Sequence, residues 1–163
     1  MKLAHVNNIL IAVAISVTLI AGVNLPGPIL VAGTAVFSVS APTQPVSSGI
    51  QFTVNITVQP NNAIAGAQFN LSFNPALFRI NSVNEGNLLN QGGASTYFMP
   101  GTINNTAGTV TGVAGAITNP GKTVSAMGTF AVITMTAGTS KGTSTITPSN
   151  VIVGDINGQS VNV

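Results

Sequence analysis

The sequence predicts an antiparallel β-sandwich, and three observations lead to this fold class. Past residue 35, short runs of alternating apolar and polar residues follow one another, as in strands that bury one face. Gly, Pro, Ser and Asn residues of the kind that form turns separate about eight or nine such runs, at spacings of roughly 10–15 residues. No run in this region sustains the helical period of about 3.6 residues, so at most one helical turn is expected, at 74–80.

The most regular strands lie in the first half of this region. Strands are predicted at 35–40, 50–58 and 67–73. The apolar face of the second strand consists of Ile50, Phe52, Val54, Ile56 and Val58. The third strand turns Ala67, Phe69, Leu71 and Phe73 inward, and Gln68, Asn70 and Ser72 outward. Alternation with period two places these two sets on opposite faces of a sheet.

Further strands are predicted toward the C-terminus, at 95–99, 108–117, 128–137 and 142–148. Within the run at 128–137, the stretch 130–135 is apolar on both faces, which fits a central strand or a contact surface. The closing segment, 150–163, contains Asn157-Gly158, a dipeptide typical of tight hairpin turns.

Residues 1–34 have the layout of a secretory signal peptide. Lys2 precedes an apolar run of about 15 residues at 9–23, and small residues follow, so that cleavage is expected after Gly33 or Ala35. An uncleaved anchor is the alternative, although about 15 helical residues span only about 22 Å of a hydrocarbon core of roughly 30 Å. We therefore divide the chain into this N-terminal segment and one domain at 35–163, which is secreted or attached to the cell surface.

The near absence of charge excludes several classes of function. Only 4% of the residues are charged, with four Lys or Arg and two Asp or Glu, so there is no basic patch for nucleic acid. The chain contains no cysteine, and its single histidine is His5 in the N-terminal segment. A serine nucleophile in the domain would therefore lack an imidazole base.

The two carboxylates, Glu85 and Asp155, do not form a recognisable pair for acid–base catalysis or a set of Ca²⁺ ligands. We expect Asp155 to shape the turn at 154–159, and Glu85 to cap the turn at 84–86. The sequence therefore predicts a non-catalytic protein with no metal site and no cofactor.

Three Asn-X-Ser/Thr triplets mark candidate glycosylation sites, at Asn55, Asn70 and Asn104. The alternation places Asn55 and Asn70 on the solvent faces of their strands. Six phenylalanines are expected in the core, namely Phe37, Phe52, Phe69, Phe73, Phe78 and Phe130. The segment 96–100, which contains Tyr97 and Phe98, is the candidate for a displayed aromatic ring, and an ordinary strand explains it equally well.

The segment 65–89 resembles the third-strand region of cohesin domains. In that family an alternating strand ends in an aromatic-Asp-Pro step, followed by a Leu, a Val-containing strand, and a Gly with an aliphatic pair. The corresponding residues here are Phe73-Asn74-Pro75, Leu77, Val83 and Gly86-Asn87-Leu88-Leu89. Residues 127–163 are similar to the C-terminal third of the family, with its Gly/Ser turn, Thr-Ile-Thr strand and Asp-x-x-Gly turn.

The resemblance covers about 35–163 and implies a nine-stranded jelly-roll sandwich with a non-catalytic role. Members of the family bind a dockerin module on another protein, in polysaccharide-degrading assemblies among others, and the dockerin carries the Ca²⁺. One sheet face receives the dockerin helices, and the matching positions here are Gly66, Gln68 and Asn70. The implied partner is a dockerin-bearing or other extracellular protein.

Two other functions fit the sequence. An uncharged sandwich rich in Thr, Asn and Gly, preceded by the apolar segment 29–40, fits a surface filament or coat subunit that assembles by strand exchange. The relatives of the fold include carbohydrate-binding modules, so a polysaccharide is a further candidate partner. Membrane contact is expected only through the N-terminal segment, if that segment is not cleaved.

Overall fold

The computed structural model describes residues 34–163, which contain ten β-strands and a short 3-10 turn at Gln91–Gly93. In chain order the strands are β1 (Val36–Ser40), β2 (Gln51–Gln59), β3 (Gly66–Ser72), β4 (Phe78–Glu85), β5 (Thr96–Met99), β6 (Thr102–Asn104), β7 (Thr109–Ile117), β8 (Gly128–Ala137), β9 (Thr147–Gly154) and β10 (Ser160–Val161). The signal peptide or anchor predicted at 1–34 lies outside the described residues, apart from Thr34. In the described range, no helix is long and apolar enough to cross a membrane.

The strands form two antiparallel sheets. The first sheet has the order β1-β2-β8-β4. The second sheet has the order β10-β9-β3-β7-β5, and β6 also pairs with β7. The predicted all-β sandwich is therefore confirmed.

A single apolar core lies between the two sheets. Four phenylalanine rings cross it in series, alternately from the first and the second sheet: Phe37 on β1, Phe69 on β3, Phe130 on β8 and Phe98 on β5. Their successive ring centroids are 5.5, 6.0 and 5.8 Å apart. These separations are favourable for tilted and edge-to-face aromatic pairs, so the rings join the two sheets.

Most strand predictions are confirmed. The runs at 35–40, 50–58, 67–73 and 128–137 match β1, β2, β3 and β8 to within one residue at each end. β8 pairs with both β2 and β4, as expected of a central strand that is apolar on both faces. The six phenylalanines expected in the core are buried in it or packed against it: Phe37, Phe52, Phe69, Phe73, Phe78 and Phe130.

Three details differ from the predictions. The alternation places Ile50 on the inward face of β2, but Ile50 precedes that strand, lies outside the core and is 55% exposed. The strand predicted at 142–148 begins only at Thr147, because its neighbour β3 ends opposite Thr147, at Ser72. The described residues contain ten strands rather than nine, and the alternation reveals neither the three-residue β6 nor β4, which the resemblance alone implied.

Short polar side chains shape the turns. Asn74 Oδ1 accepts a hydrogen bond from the amide of Ala76, at 3.0 Å, and so caps the turn between β3 and β4. Asp155 shapes the β9–β10 turn as expected, because its Oδ1 accepts the amides of Asn157 and Gln159, both at 2.8 Å. The expected cap by Glu85 is not made by its Oε1, which is buried without a hydrogen-bond partner.

Candidate functional site

The candidate site lies on the outer face of the second sheet, where strand register aligns outward residues in two rows. The first row runs from β9 to β5 through Gly154, Gly66, Ala116 and Tyr97. The second row, two residues along each strand, runs through Ile152, Gln68, Ala114 and Met99. Because residues alternate in period two, these eight residues share one surface.

Large apolar side chains are exposed at both margins of these rows. Tyr97 is 61% exposed, while Met99 and Ile152 are each 44% exposed. The inward-facing residues Phe69, Val113 and Val153 are buried in the core. Tyr97, Met99 and Ile152 therefore face outward and do not contribute to the packing between the two sheets. Together with the small residues between them, these side chains make the outer face mainly apolar, which is typical of an interaction surface rather than of an ordinary solvated face.

Between these margins the surface is concave. Three of the four central positions carry glycine or alanine, namely Gly66, Ala114 and Ala116, and they form the floor of a shallow depression of about 230 Å³. Tyr97, Gln68 and Ile152 stand around it. We call this feature the apolar depression.

The outer face carries no formal charge. None of the six strands of the second sheet contains a Lys, Arg, Asp, Glu or His residue within the described range. The nearest charged residue in sequence is Asp155, which directly follows β9 and whose Oδ1 is engaged in the turn. The electrostatics of the face are therefore those of neutral dipoles.

Asn70 borders the two rows, and its side chain is engaged within the sheet. Its Oδ1 accepts a hydrogen bond of 2.8 Å from the amide of Gly112 on β7. The register shifts on both sides of Asn70, toward β7 and toward β9, and residues in these two irregular stretches adopt positive φ, 73° at Gly112 and 50° at Asn150. Bulges of this kind end regular pairing and are common beside functional sites.

The structure brings together the three positions expected to contact a partner. Gly66, Gln68 and Asn70 all lie on the outer face of the second sheet. Gly66 has no side chain and forms part of the floor of the depression, while the side chain of Asn70 is hydrogen-bonded to β7. Of the three residues, only Gln68 therefore places a side chain beside the depression. The assignment of these residues to partner binding stays a prediction.

In the candidate segment 96–100 the Tyr97 ring is exposed and the Phe98 ring packs against the core. Sequence reasoning did not single out Met99 or Ile152. Both follow the alternation of their strands, because Phe98 and Val153 point inward. Strand order and the two bulges place Met99 and Ile152 in the same row as Gln68. The pattern of apolar residues encodes neither of these.

The remaining candidate residues lie away from this face. Glu85 ends β4 of the first sheet, whereas Asp155 lies in the turn between β9 and β10. Among residues 34–163, no group of three or more His, Cys, Asp or Glu side chains could hold a metal ion. Of the candidate glycosylation sites, Asn55 and Asn70 are half-buried in strands, and Asn104 is exposed at the β6–β7 turn.

Comparison with known proteins shows what the sandwich is similar to. A type II cohesin-X-dockerin complex from Acetivibrio cellulolyticus matches with a TM-score of 0.64 at 14% identity, covering 79% of this chain and 92% of the matched chain. A type I cohesin-dockerin complex from Clostridium thermocellum matches with a TM-score of 0.61 at 14% identity, covering 80% and 92%. A non-cellulosomal cohesin from the archaeon Archaeoglobus fulgidus matches with a TM-score of 0.57 at 15% identity, covering 80% and 85%.

The TM-scores of these matches establish a shared fold, and the match to a family model establishes the family. No curated protein matches the chain significantly. The family model described as the cohesin domain matches residues 36–163, which span every strand of both sheets. The chain therefore belongs to the cohesin domain family.

Proposed function

We propose that this cohesin domain is a non-catalytic docking module that binds a dockerin-type protein through the outer face of its second sheet. The observation that carries the proposal is the apolar outer face, on which Tyr97 and Met99 are exposed at one margin and Ile152 at the other. Burying this face against a partner would release water from apolar surface, which is the main driving force of protein association.

The solved relatives support the choice of partner class. The matching structures include complexes of a cohesin with a dockerin, among them one of type I and one of type II. The present chain has the same fold and belongs to the same family. A dockerin is therefore the first partner to test, and Gln68 is the side chain assigned to hydrogen bonding at its surface.

The proposed location is outside the cell. It rests on the basic residue, apolar run and small residues of the N-terminal segment, which together form a secretory pattern. A docking module outside the cell could recruit its partner to a surface or into an assembly, including one that degrades polysaccharides.

The test uses the purified protein and the dockerin modules encoded in the same genome. Each pair is measured by isothermal titration calorimetry in buffer with CaCl₂, because dockerins are Ca²⁺-binding modules. We expect at least one dockerin to bind, and we expect Ile152→Asp to abolish that binding by placing a charge in an apolar contact.

The matched control is Thr53→Asp. Thr53 is an exposed residue of β2 in the first sheet, so this variant adds the same charge outside the proposed surface. Failure of every dockerin to bind would contradict the proposed partner. Equal effects of the two variants would contradict the proposed face.

A further inference from the structure

The apolar depression has the size of a side-chain socket. Its volume of about 230 Å³ is below the roughly 300–1,000 Å³ of sites that enclose small-molecule ligands. It is also open, since its floor is the surface of a flat sheet formed by Gly66, Ala114 and Ala116. A surface of this form suits one or two protruding side chains of a protein partner.

The chemistry around the depression is neutral. Tyr97 and Ile152 supply apolar walls, and Gln68 supplies an amide that both donates and accepts. The Gln68 side chain makes no hydrogen bond to other described residues, so both functions remain available to a partner. A charged partner side chain buried here would lose its hydration without gaining a counter-charge, and that loss costs several kcal/mol.

These two observations define the complementary surface. Resting on the proposed docking function, we propose that the partner presents an uncharged strip that seats an aliphatic side chain in the apolar depression, with a neutral hydrogen-bonding group opposite Gln68. The affinity then comes from apolar burial and one neutral hydrogen bond, not from ion pairs. Screening by salt acts on charges, so the affinity changes little with ionic strength.

Gly154 allows the depression to be filled without disturbing the sheet. A Cβ atom at Gly154 would have the carbonyl oxygen of Gln159 as its nearest neighbour, at 4.0 Å, and its φ is not in the left-handed region. In contrast, a Cβ at Gly66 would lie 2.9 Å from the carbonyl oxygen of Gly115. Gly154→Leu is therefore the variant that occupies the socket, and Thr53→Leu on the first sheet is its matched control.

The first measurement uses the dockerin that binds in the calorimetric test above. We expect its Kd to change by less than about twofold between 50 and 500 mM NaCl at constant CaCl₂. We expect Gly154→Leu to weaken binding at least about tenfold and Thr53→Leu to leave it unchanged. A tenfold loss with salt, or equal Kd values for the two leucine variants, would overturn the inference while leaving dockerin binding in place.

The second measurement does not depend on a dockerin. Tyr97 is the only tyrosine and the chain has no tryptophan, so intrinsic fluorescence reports on this site alone. The probe is a neutral helical peptide without Tyr or Trp that displays leucines four residues apart. A saturable change in Tyr97 emission, abolished by Gly154→Leu, is expected. This result without any dockerin binding would support the inference and contradict the proposed partner, and a negative result in both measurements would overturn both.

Discussion

Asn70 Oδ1 accepts a hydrogen bond from the backbone amide of Gly112, and this bond of 2.8 Å joins β3 to the bulge of β7. Gly112 has a φ of 73° and lies where the β3–β7 register shifts. The irregular backbone leaves this amide without its usual partner in the ladder, and the side chain of Asn70 replaces that partner. The bond therefore fixes the border of the outer face rather than offering a contact to a partner.

The first prediction concerns Asn70. Asn70→Ala removes the acceptor, and we expect the free energy of unfolding to fall by about 1 kcal/mol. Asn70→Asp keeps an oxygen in the same place and should lose less. Urea denaturation of the three proteins measures the difference, and equal losses for Ala and Asp would show that the acceptor oxygen is not what holds the bulge.

The second prediction concerns the edge of the first sheet. Asn105 Oδ1 accepts the amide of Ile80 at 2.8 Å, and Asn105 Nδ2 donates to the carbonyl of Ile80 at 2.9 Å. The side chain thus acts as a one-residue strand against β4, and it connects the β6–β7 turn to the first sheet. Asn105→Ala would leave both backbone groups of a buried residue without partners, so we expect a loss of about 1–3 kcal/mol.

The control for Asn105 is Asn81→Ala, which removes a single exposed bond, from Asn81 Nδ2 to Thr136 Oγ1. We expect this variant to change stability by less than about 0.5 kcal/mol. Amide hydrogen exchange gives a second readout, because the amide of Ile80 should lose protection only in Asn105→Ala. Unchanged protection there would contradict the role assigned to Asn105.

The third prediction concerns Phe130, which contacts phenylalanines of the opposite sheet on two sides. It is 1% exposed, and its ring centroid lies 6.0 Å from that of Phe69 and 5.8 Å from that of Phe98. We expect Phe130→Ala to cost about 3–5 kcal/mol, through lost burial and a cavity between the sheets. Phe37→Ala removes a half-buried ring of the same series, so we expect it to lower the melting temperature less than Phe130→Ala does. A larger loss for Phe37→Ala would contradict the central place of Phe130 in the core.

Local pattern was sufficient for most of the strands and insufficient for the site. Alternation identified the buried residues of β2 and β3, because burial on one face imposes period two on any strand. It placed Ile50 inward only because the run continues past the point where the core ends. It could not align Gln68 with Ile152 and Met99, since their pairing follows from strand order and from the bulges near Asn70. The alternation also could not reveal the two hydrogen bonds between Asn105 and Ile80, because they join the β6–β7 turn to a strand of the other sheet.

The fourth prediction distinguishes the three candidate glycosylation sites. Asn104 is exposed at a hairpin turn, and its Oδ1 accepts the amides of Thr106 and Ala107 at 3.1 and 2.9 Å. These bonds use Oδ1 and leave free Nδ2, the atom that carries an N-linked glycan. Asn55 and Asn70 are half-buried within paired strands, and the side chain of Asn70 is held by Gly112.

Upon expression in a host that glycosylates secreted proteins, we therefore expect a glycan at Asn104 alone. Intact-mass spectrometry should show one glycan that disappears in Asn104→Gln and persists in Asn70→Gln. A glycan at Asn70 would mean that modification precedes folding of the second sheet, and it would obstruct the outer face that the docking proposal requires.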